Sequence, residues 1–158
     1  MPIGPYKDMA ACMAANKDKA DPAAFCAAME QRMHKIAKTD PDRQLVFGWA
    51  NVAVRKNGST VVDHDNEQIA PQDLEDAAYL YNLQFREANE MHGPAVKGRL
   101  VESLVVTKEK LTAMGLASDA LPQGWWVGFH VDADTFAKVK AGVLNMFSIE
   151  GTAEPVPA

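Results

Sequence analysis

The sequence predicts an α+β fold, in which helices surround a small β-barrel or a strongly curled, mostly antiparallel sheet. Several segments after residue 44 place apolar side chains at alternate positions, as strands do, and two segments among them show the apolar spacing of helices. Strands interleaved with separate helices are typical of this class. Because 47% of the 158 residues are hydrophobic, the chain is able to bury one substantial core. We therefore expect one main domain.

An N-terminal helical hairpin, residues 1–40, is expected to precede this domain. Its second helix has a clear start, since Asp21 is a suitable N-cap and Pro22 suits the first helical position. Apolar residues then recur at steps of three and four as far as Ile36. The charged, proline-containing run KTDPDR, residues 38–43, is predicted to link the hairpin to the rest of the chain.

The two cysteines, Cys12 and Cys26, lie on the two predicted helices of this hairpin. They are either small buried side chains in a reducing compartment or, if the protein matures outside the cell, the two halves of a disulfide. Neither a further cysteine nor a nearby pair of histidines completes a zinc-ligand pattern, so we expect no structural metal.

The main domain, residues 43–153, contains the predicted strands and two clear helices. The expected strands are QLVFGWANVAV, a short STVV, GRLVESLVV, WWVGFHV and VLNMFSI. The longest helix is predicted from Pro71 to Met91, and a second one, DADTFAKVKAG, is closed by Gly142. We expect LTAMGLAS to form a short helix or a loop, and residues 154–158 to form a tail.

The charge balance argues against nucleic acid and membrane as partners. The formal net charge is -5, whereas phosphate binding needs clustered Lys and Arg. No apolar run approaches the roughly 20 residues that span a bilayer. The N-terminus also lacks the regions of a signal peptide. We expect a soluble, cytoplasmic protein without a cofactor.

Four histidines are candidates for catalysis. His34 lies on the polar side of a predicted helix and His130 alternates with apolar residues in a strand, so both are expected to be structural. His64, in the run DHDNE, belongs either to a solvated loop or to a metal site of a hydrolase. His92 ends the longest predicted helix and precedes Gly-Pro, which is a good position for a general base. The alternative is a histidine stabilised there by the helix dipole.

Two further residues complete the set of candidates. Ser148 lies near the end of the predicted strand VLNMFSI, where a hydroxyl beside a glycine is able to face a cleft and act as a nucleophile. Glu102 shares a strand face with apolar residues, and an ionised carboxylate there is costly to bury without a partner. His92, ten residues earlier, is one such partner. The other reading is an edge strand whose Glu102 face meets water.

Five blocks of the sequence carry a resemblance to a known family. QLVFGWANV, EMHG, GRLVESLVVT, GWWVGFHV and NMFSIEGTA resemble, in order and spacing, the prohead-maturation serine proteases of tailed phages and prophages, in particular the XkdF-like family. The resemblance covers roughly residues 43–153. It implies a fold similar to the herpesvirus assembly proteases, a small β-barrel with surrounding helices. His92 in EMHG then corresponds to the catalytic base, and Ser148 in FSIEG to the nucleophile.

The resemblance also implies a function and a setting. We expect a serine endopeptidase that processes scaffolding and capsid proteins in the immature phage head, within the host cytoplasm, and that forms a homodimer. In related proteases the third catalytic residue often follows the serine by a few tens of residues, but only ten residues follow Ser148. Either Glu102 takes that role, or the chain is truncated, or the pair works as a dyad. The alternative function is a non-catalytic capsid-assembly or scaffold-binding module that retains the protease fold.

Overall fold

The computed structural model describes residues 9–22, 35–62 and 68–149, which include four helices and one five-stranded sheet. In chain order the elements are α1 Met9–Ala15, β1 Ile36–Asp40, β2 Leu45–Val54, α2 Pro71–Gln84, β3 Glu87–Asn89, β4 Val96–Val106, α3 Lys108–Ala113, β5 Gln123–Val131 and α4 Ala133–Lys140. This content confirms the α+β class that the sequence predicts.

The sheet is antiparallel throughout, in the order β1-β2-β5-β4-β3. The last strand in the sequence, β5, is therefore the central one, and it pairs with β2 on one side and β4 on the other. Within the described part of the chain the sheet is open, with β1 and β3 at its edges. A closed barrel is not confirmed.

The core lies on one face of the sheet, beneath α2 and α4. Along β5 the alternate side chains of Trp125, Val127, Phe129 and Val131 are buried in it. The two helices add the buried residues Leu74 and Ala78 of α2 and Phe136 of α4. Burial of each large apolar side chain contributes about 1.5–3 kcal/mol. The two helices are thereby fixed against the sheet, and α4 in turn positions the segments described below.

Helix α4 has the start and the end that the sequence predicts. Asp132 is its N-cap, and its carboxylate accepts a hydrogen bond of 2.7 Å from the backbone N–H of Thr135. The helix ends at Lys140 and is followed by Gly142 with a φ of 74°, a left-handed conformation that glycine adopts without strain.

The N-terminal region differs from the prediction at its end. Most of the predicted second helix lies outside the described residues, so the hairpin is not confirmed. The helical spacing does not extend through Ile36, which instead begins β1 and pairs with Gly48 of β2. The run KTDPDR is not a linker, because it supplies the end of β1 and the turn into β2. In that turn the carboxylate of Asp40 accepts hydrogen bonds from the backbone and the guanidinium of Arg43.

The structure also settles the state of Cys12, which the sequence left open. Cys12 is fully buried on α1 and takes part in a disulfide bond. Asn16, one turn later, donates a hydrogen bond of 2.9 Å from its side-chain amide to the carbonyl oxygen of Cys12. The sequence contains one other cysteine, Cys26.

Two further predictions are wrong, one at a helix boundary and one in the kind of element. The longest helix was expected to reach Met91, but α2 ends at Gln84 and a strand, β3, follows from Glu87. The chain reverses at Arg86, which has a φ of 58° and so cannot continue the helix. The run VLNMFSI is not a strand, because Met146 makes a single antiparallel bridge, to Lys35, and no ladder follows it among the described residues.

Candidate active site

His92 lies in the loop between β3 and β4, residues 90–95, and not at the end of a helix. The loop is the connection of a β-hairpin, since β3 and β4 pair antiparallel. The backbone N–H of Gly93 donates a hydrogen bond of 2.9 Å to the carbonyl oxygen of Glu90. The two central residues of this turn, Met91 and His92, have φ values of 51° and 56°, as in a type I′ hairpin turn. The helix-dipole explanation of His92 therefore does not apply.

This turn is unusual in its residues. Type I′ turns favour Asn, Asp and Gly, because other side chains are strained in the left-handed conformation by about 1–2 kcal/mol each. Both Met91 and His92 are largely exposed. Contacts of the residues around them contribute to holding the loop in this conformation.

Helix α4 supplies such a contact through Lys138. Its ammonium nitrogen lies 2.9 and 3.0 Å from the two carboxylate oxygens of Glu90, the first residue of the His92 loop. Lys138 also forms an ion pair of 3.1 Å with Asp134, one turn earlier on the same helix. The hydrogen bond to Glu90, followed by that to Asp134, raises the pKa of Lys138 above its ordinary value. Lys138 therefore stays charged at neutral pH and anchors the loop to α4.

Ser148 lies on the segment that follows α4, residues 143–149, which is outside any strand. The first two residues of the segment, Val143 and Leu144, donate backbone N–H hydrogen bonds of 3.0 and 3.3 Å to the carbonyl oxygen of Lys138 on α4. Further along, the carbonyl oxygen of Asn145 accepts a 2.9 Å hydrogen bond from the backbone N–H of Ile36. The segment is thus tied to α4 at one end and to β1 in its middle.

The residue before Ser148 anchors the end of this segment in the core. The ring of Phe147 packs against Phe129 of β5, with 5.8 Å between the ring centroids. Ser148 itself is exposed. Because Phe147 packs against the core and Ser148 follows it directly, the backbone at Ser148 is restrained while its hydroxyl faces solvent.

The structure attaches the two predicted catalytic residues to one helix but does not join them directly. The side chain of Lys138 holds the His92 loop, and its carbonyl oxygen holds the start of the Ser148 segment. Among the hydrogen bonds between described residues, none links His92 to Ser148. Sequence reasoning missed Lys138 and Glu90, since they are 48 positions apart and no local pattern indicates that they meet.

Glu102, the candidate third residue, lies elsewhere on β4. Its carboxylate accepts a hydrogen bond of 3.1 Å from the indole nitrogen of Trp126, and its side chain is exposed. The Glu102 side chain meets water, as one of the two readings predicts, but β4 is not the edge strand of that reading, because it pairs with both β3 and β5. Glu102 is six positions beyond Val96 (102 minus 96), where β4 begins, which corresponds to about 20 Å along a strand. That separation weighs against contact with the His92 loop, so the assignment of Glu102 stays a prediction.

The remaining candidates lie away from α4 or outside the described residues. His130 is exposed on β5, opposite Leu45 and Arg99. His34 and His64 fall outside the described residues. Elsewhere in the described part of the chain no cluster of three or more His, Cys, Asp or Glu side chains is suited to a metal ion. None of the described helices has the length and apolar character needed to span a membrane.

The described structure is thus an α+β fold in which one helix, α4, contacts both the His92 loop and the Ser148 segment. Residues 32–157 match the family described as "Putative phage serine protease XkdF", and the chain belongs to that family. The match includes all five strands, His92 and Ser148, and it starts just before β1, leaving α1 outside. No curated protein and no solved structure shows significant similarity to the chain.

Proposed function

We propose that the protein is a serine endopeptidase in which Ser148 is the nucleophile and His92 the general base. The observation that supports this most is that one helix, α4, holds both the His92 loop and the Ser148 segment, within the region that matches a family of phage serine proteases. Both side chains are exposed, as a peptidase that cleaves other proteins requires.

The proposed reaction follows from the chemistry of the two side chains. The hydroxyl oxygen of Ser148 attacks the carbonyl carbon of the peptide bond while His92 takes its proton. The C–N bond then breaks, and the same proton passes to the leaving amine. Water, activated by His92, hydrolyses the acyl-enzyme and releases the new carboxylate. A third residue would orient the imidazole; Glu102 is one candidate, and a Ser-His dyad is the other arrangement.

The proposed substrates are the scaffolding and capsid proteins of an immature phage head, within the host cytoplasm. The support for this is the phage origin of the family together with the resemblance of the sequence blocks to prohead-maturation proteases. By the same resemblance we propose that the protein acts as a homodimer. We also propose that it uses no cofactor, and the net charge of -5 and the lack of an apolar run of about 20 residues support that neither nucleic acid nor a membrane is its partner.

The direct test is co-expression of the protein with the capsid and scaffolding proteins of its own phage. Ser148→Ala and His92→Ala are expected to abolish processing, followed on gels and by mass spectrometry of the new termini. Ser118→Ala and His130→Ala are matched controls, because both residues are outside the two segments on α4 and both are exposed. The assignment is refuted if Ser148→Ala processes its substrates like the unaltered protein.

A second candidate function is a non-catalytic assembly module that retains this fold. It is favoured by the observation that His92 and Ser148 share no hydrogen bond among those between described residues. Catalytic hydrogen bonds are often long before substrate binds, so this observation is also compatible with an enzyme. A fluorophosphonate probe separates the two functions, since a peptidase becomes labelled at Ser148 and an assembly module stays unlabelled.

A further inference from the structure

Lys138 is the one residue through which both candidate catalytic segments are attached to α4 in the described structure. Its side chain reaches the carboxylate of Glu90, two positions before His92. Its backbone carbonyl oxygen accepts from Val143 and Leu144, at the start of the Ser148 segment. Lys138 is therefore a point at which the two segments are connected through one residue, in addition to their separate contacts with the sheet.

The contact between Lys138 and Glu90 restrains a turn that is weakly restrained by its own hairpin. The His92 loop contains two left-handed residues that are not glycine, and the strand before it, β3, has three residues. A short edge strand contributes few ladder hydrogen bonds, so it restrains a strained turn weakly. The ion pair between Lys138 and Glu90 adds a restraint from outside the hairpin.

We propose that Lys138 is a positioning residue for the catalytic pair: by binding Glu90 it sets the place of His92 relative to Ser148. The inference rests on the proposed function. It assigns Lys138 no contact with substrate or with the reacting atoms. Its effect comes from geometry, because small misplacements of a catalytic group lower reaction rates steeply.

The test uses the full-length protein and a fluorophosphonate probe, with the second-order rate of labelling at Ser148 measured by intact-mass spectrometry. Lys138→Met and Glu90→Gln each remove one side of the contact, and each is expected to lower the rate at least about tenfold. Lys138→Arg keeps a charged donor that reaches a carboxylate, and is expected to restore the rate to within about threefold.

Asp134→Asn is the matched control. Asp134 is the other acidic partner of Lys138, but it lies on α4 itself and contacts neither segment. Its loss weakens a comparable ion pair without releasing the loop, so labelling is expected to stay within about twofold of the unaltered protein. The inference is overturned if Lys138→Met labels at the unaltered rate, or if Asp134→Asn lowers the rate as much as Glu90→Gln.

A second measurement keeps this inference apart from the proposed function. Amide resonances of Met91, His92 and Gly93, followed by NMR, report the loop whether or not the protein is an enzyme. We expect them to shift in Lys138→Met and to stay in place in Asp134→Asn. If the unaltered protein does not react with the probe, the proposed function fails. Unshifted loop resonances in Lys138→Met then overturn the structural part of the inference as well.

Discussion

Phe147 packs where it does because residue 48 is glycine. A β-carbon at Gly48 would lie 3.1 Å from Cε2 of Phe147 and 2.8 Å from the carbonyl oxygen of Lys35. Both distances are shorter than ordinary van der Waals contact, and the second is to backbone, which cannot rotate away. The central part of β2 is therefore shaped so that the chain before β1 and the Ser148 segment pass close over it.

Gly48→Ala is expected to destabilise the fold by about 1–3 kcal/mol, the usual cost of overpacking a core. Because the added methyl displaces Phe147, it is also expected to slow fluorophosphonate labelling of Ser148 in the folded protein. Gly124→Ala is the control. Its methyl would clash with the carbonyl oxygen of Asn51 on β2, away from Phe147. Urea unfolding and labelling rates check both, and equal labelling by the two variants would contradict the prediction.

Tyr81 is expected to ionise late in an alkaline titration. Burial, and secondly the charge of Glu87, raise the pKa of Tyr81 from 10.0 to about 12. Its contribution to folding is thus fully present below pH 10 and is lost as the pH rises from about 10 to 12. Absorbance at 295 nm should show a tyrosine that titrates near pH 12, and Tyr81→Phe should remove it. A Tyr81→Phe titration identical to that of the unaltered protein would refute the assignment.

The same substitution probes the start of β3. The hydroxyl of Tyr81 donates a hydrogen bond of 2.5 Å to the carbonyl oxygen of Glu87, the first residue of that strand. Its ring packs edge-to-face against Trp125 of the core, at 5.3 Å between centroids. Tyr81→Phe keeps the ring and loses the hydrogen bond, so we expect a loss of about 1 kcal/mol of unfolding free energy. Hydrogen exchange should quicken at β3 more than at β5.

Glu75 is expected to make the unfolding free energy of the protein depend on pH in the acidic range. The carboxylate of Glu75 accepts hydrogen bonds from the ammonium group of Lys110 and from the hydroxyl of Tyr79. These hydrogen bonds, the larger effect being that of Lys110, lower the pKa of Glu75 below 4.5. The stabilisation is present above the unfolded pKa and is lost as the pH falls through the folded one.

Glu75→Gln should therefore cost about 1–3 kcal/mol at pH 7 and progressively less below pH 4. Guanidinium unfolding at pH 7, 5 and 3 measures this difference. Glu109→Gln, on the exposed side of α3, is the control and should leave the pH dependence unchanged. A constant difference between Glu75→Gln and the unaltered protein at all three pH values would count against the prediction.

The disulfide bond of Cys12 is tested by counting free thiols. Because Cys12 is disulfide-bonded and the sequence has two cysteines, the unfolded, unreduced protein should show no free thiol, and the reduced protein two. Trypsin offers a second check, since Lys17 and Lys19 are exposed and lie between the cysteines in sequence. A cut there should leave fragments that separate only after reduction. Two thiols in the unreduced protein would show that the bond does not form.

The sequence predicts the long strands and the capped helix well. β2, β4 and β5 have ten, eleven and nine residues and a strong apolar pattern, and α4 has its N-cap Asp132 and its closing Gly142. The sequence predicts helix and linker where β1 lies, and helix where β3 lies. Both strands are short, and their conformation is decided by the neighbouring strand and not by their own residues.

In the candidate site, too, local features are predictable from the sequence and contacts between distant residues are not. His92 and Ser148 are predicted from short blocks of sequence, because each block is local. Their supports are not local: Glu90 meets Lys138, and Phe147 meets Gly48, only after the sheet has formed. Met91 and His92 in a type I′ turn also could not be foreseen, since neither residue type favours that conformation.

The central place of β5 has a consequence for how the protein folds. The β1–β2 and β3–β4 hairpins each join neighbouring segments, so they are able to form early. The two hairpins come together only when β5 enters between them, and Trp126 then meets Trp49, 77 positions earlier (126 minus 49). Closing so long a loop is slow, which makes the arrival of β5 the expected rate-limiting step. Weakened pairing of β5 should accordingly slow folding, and not merely hasten unfolding.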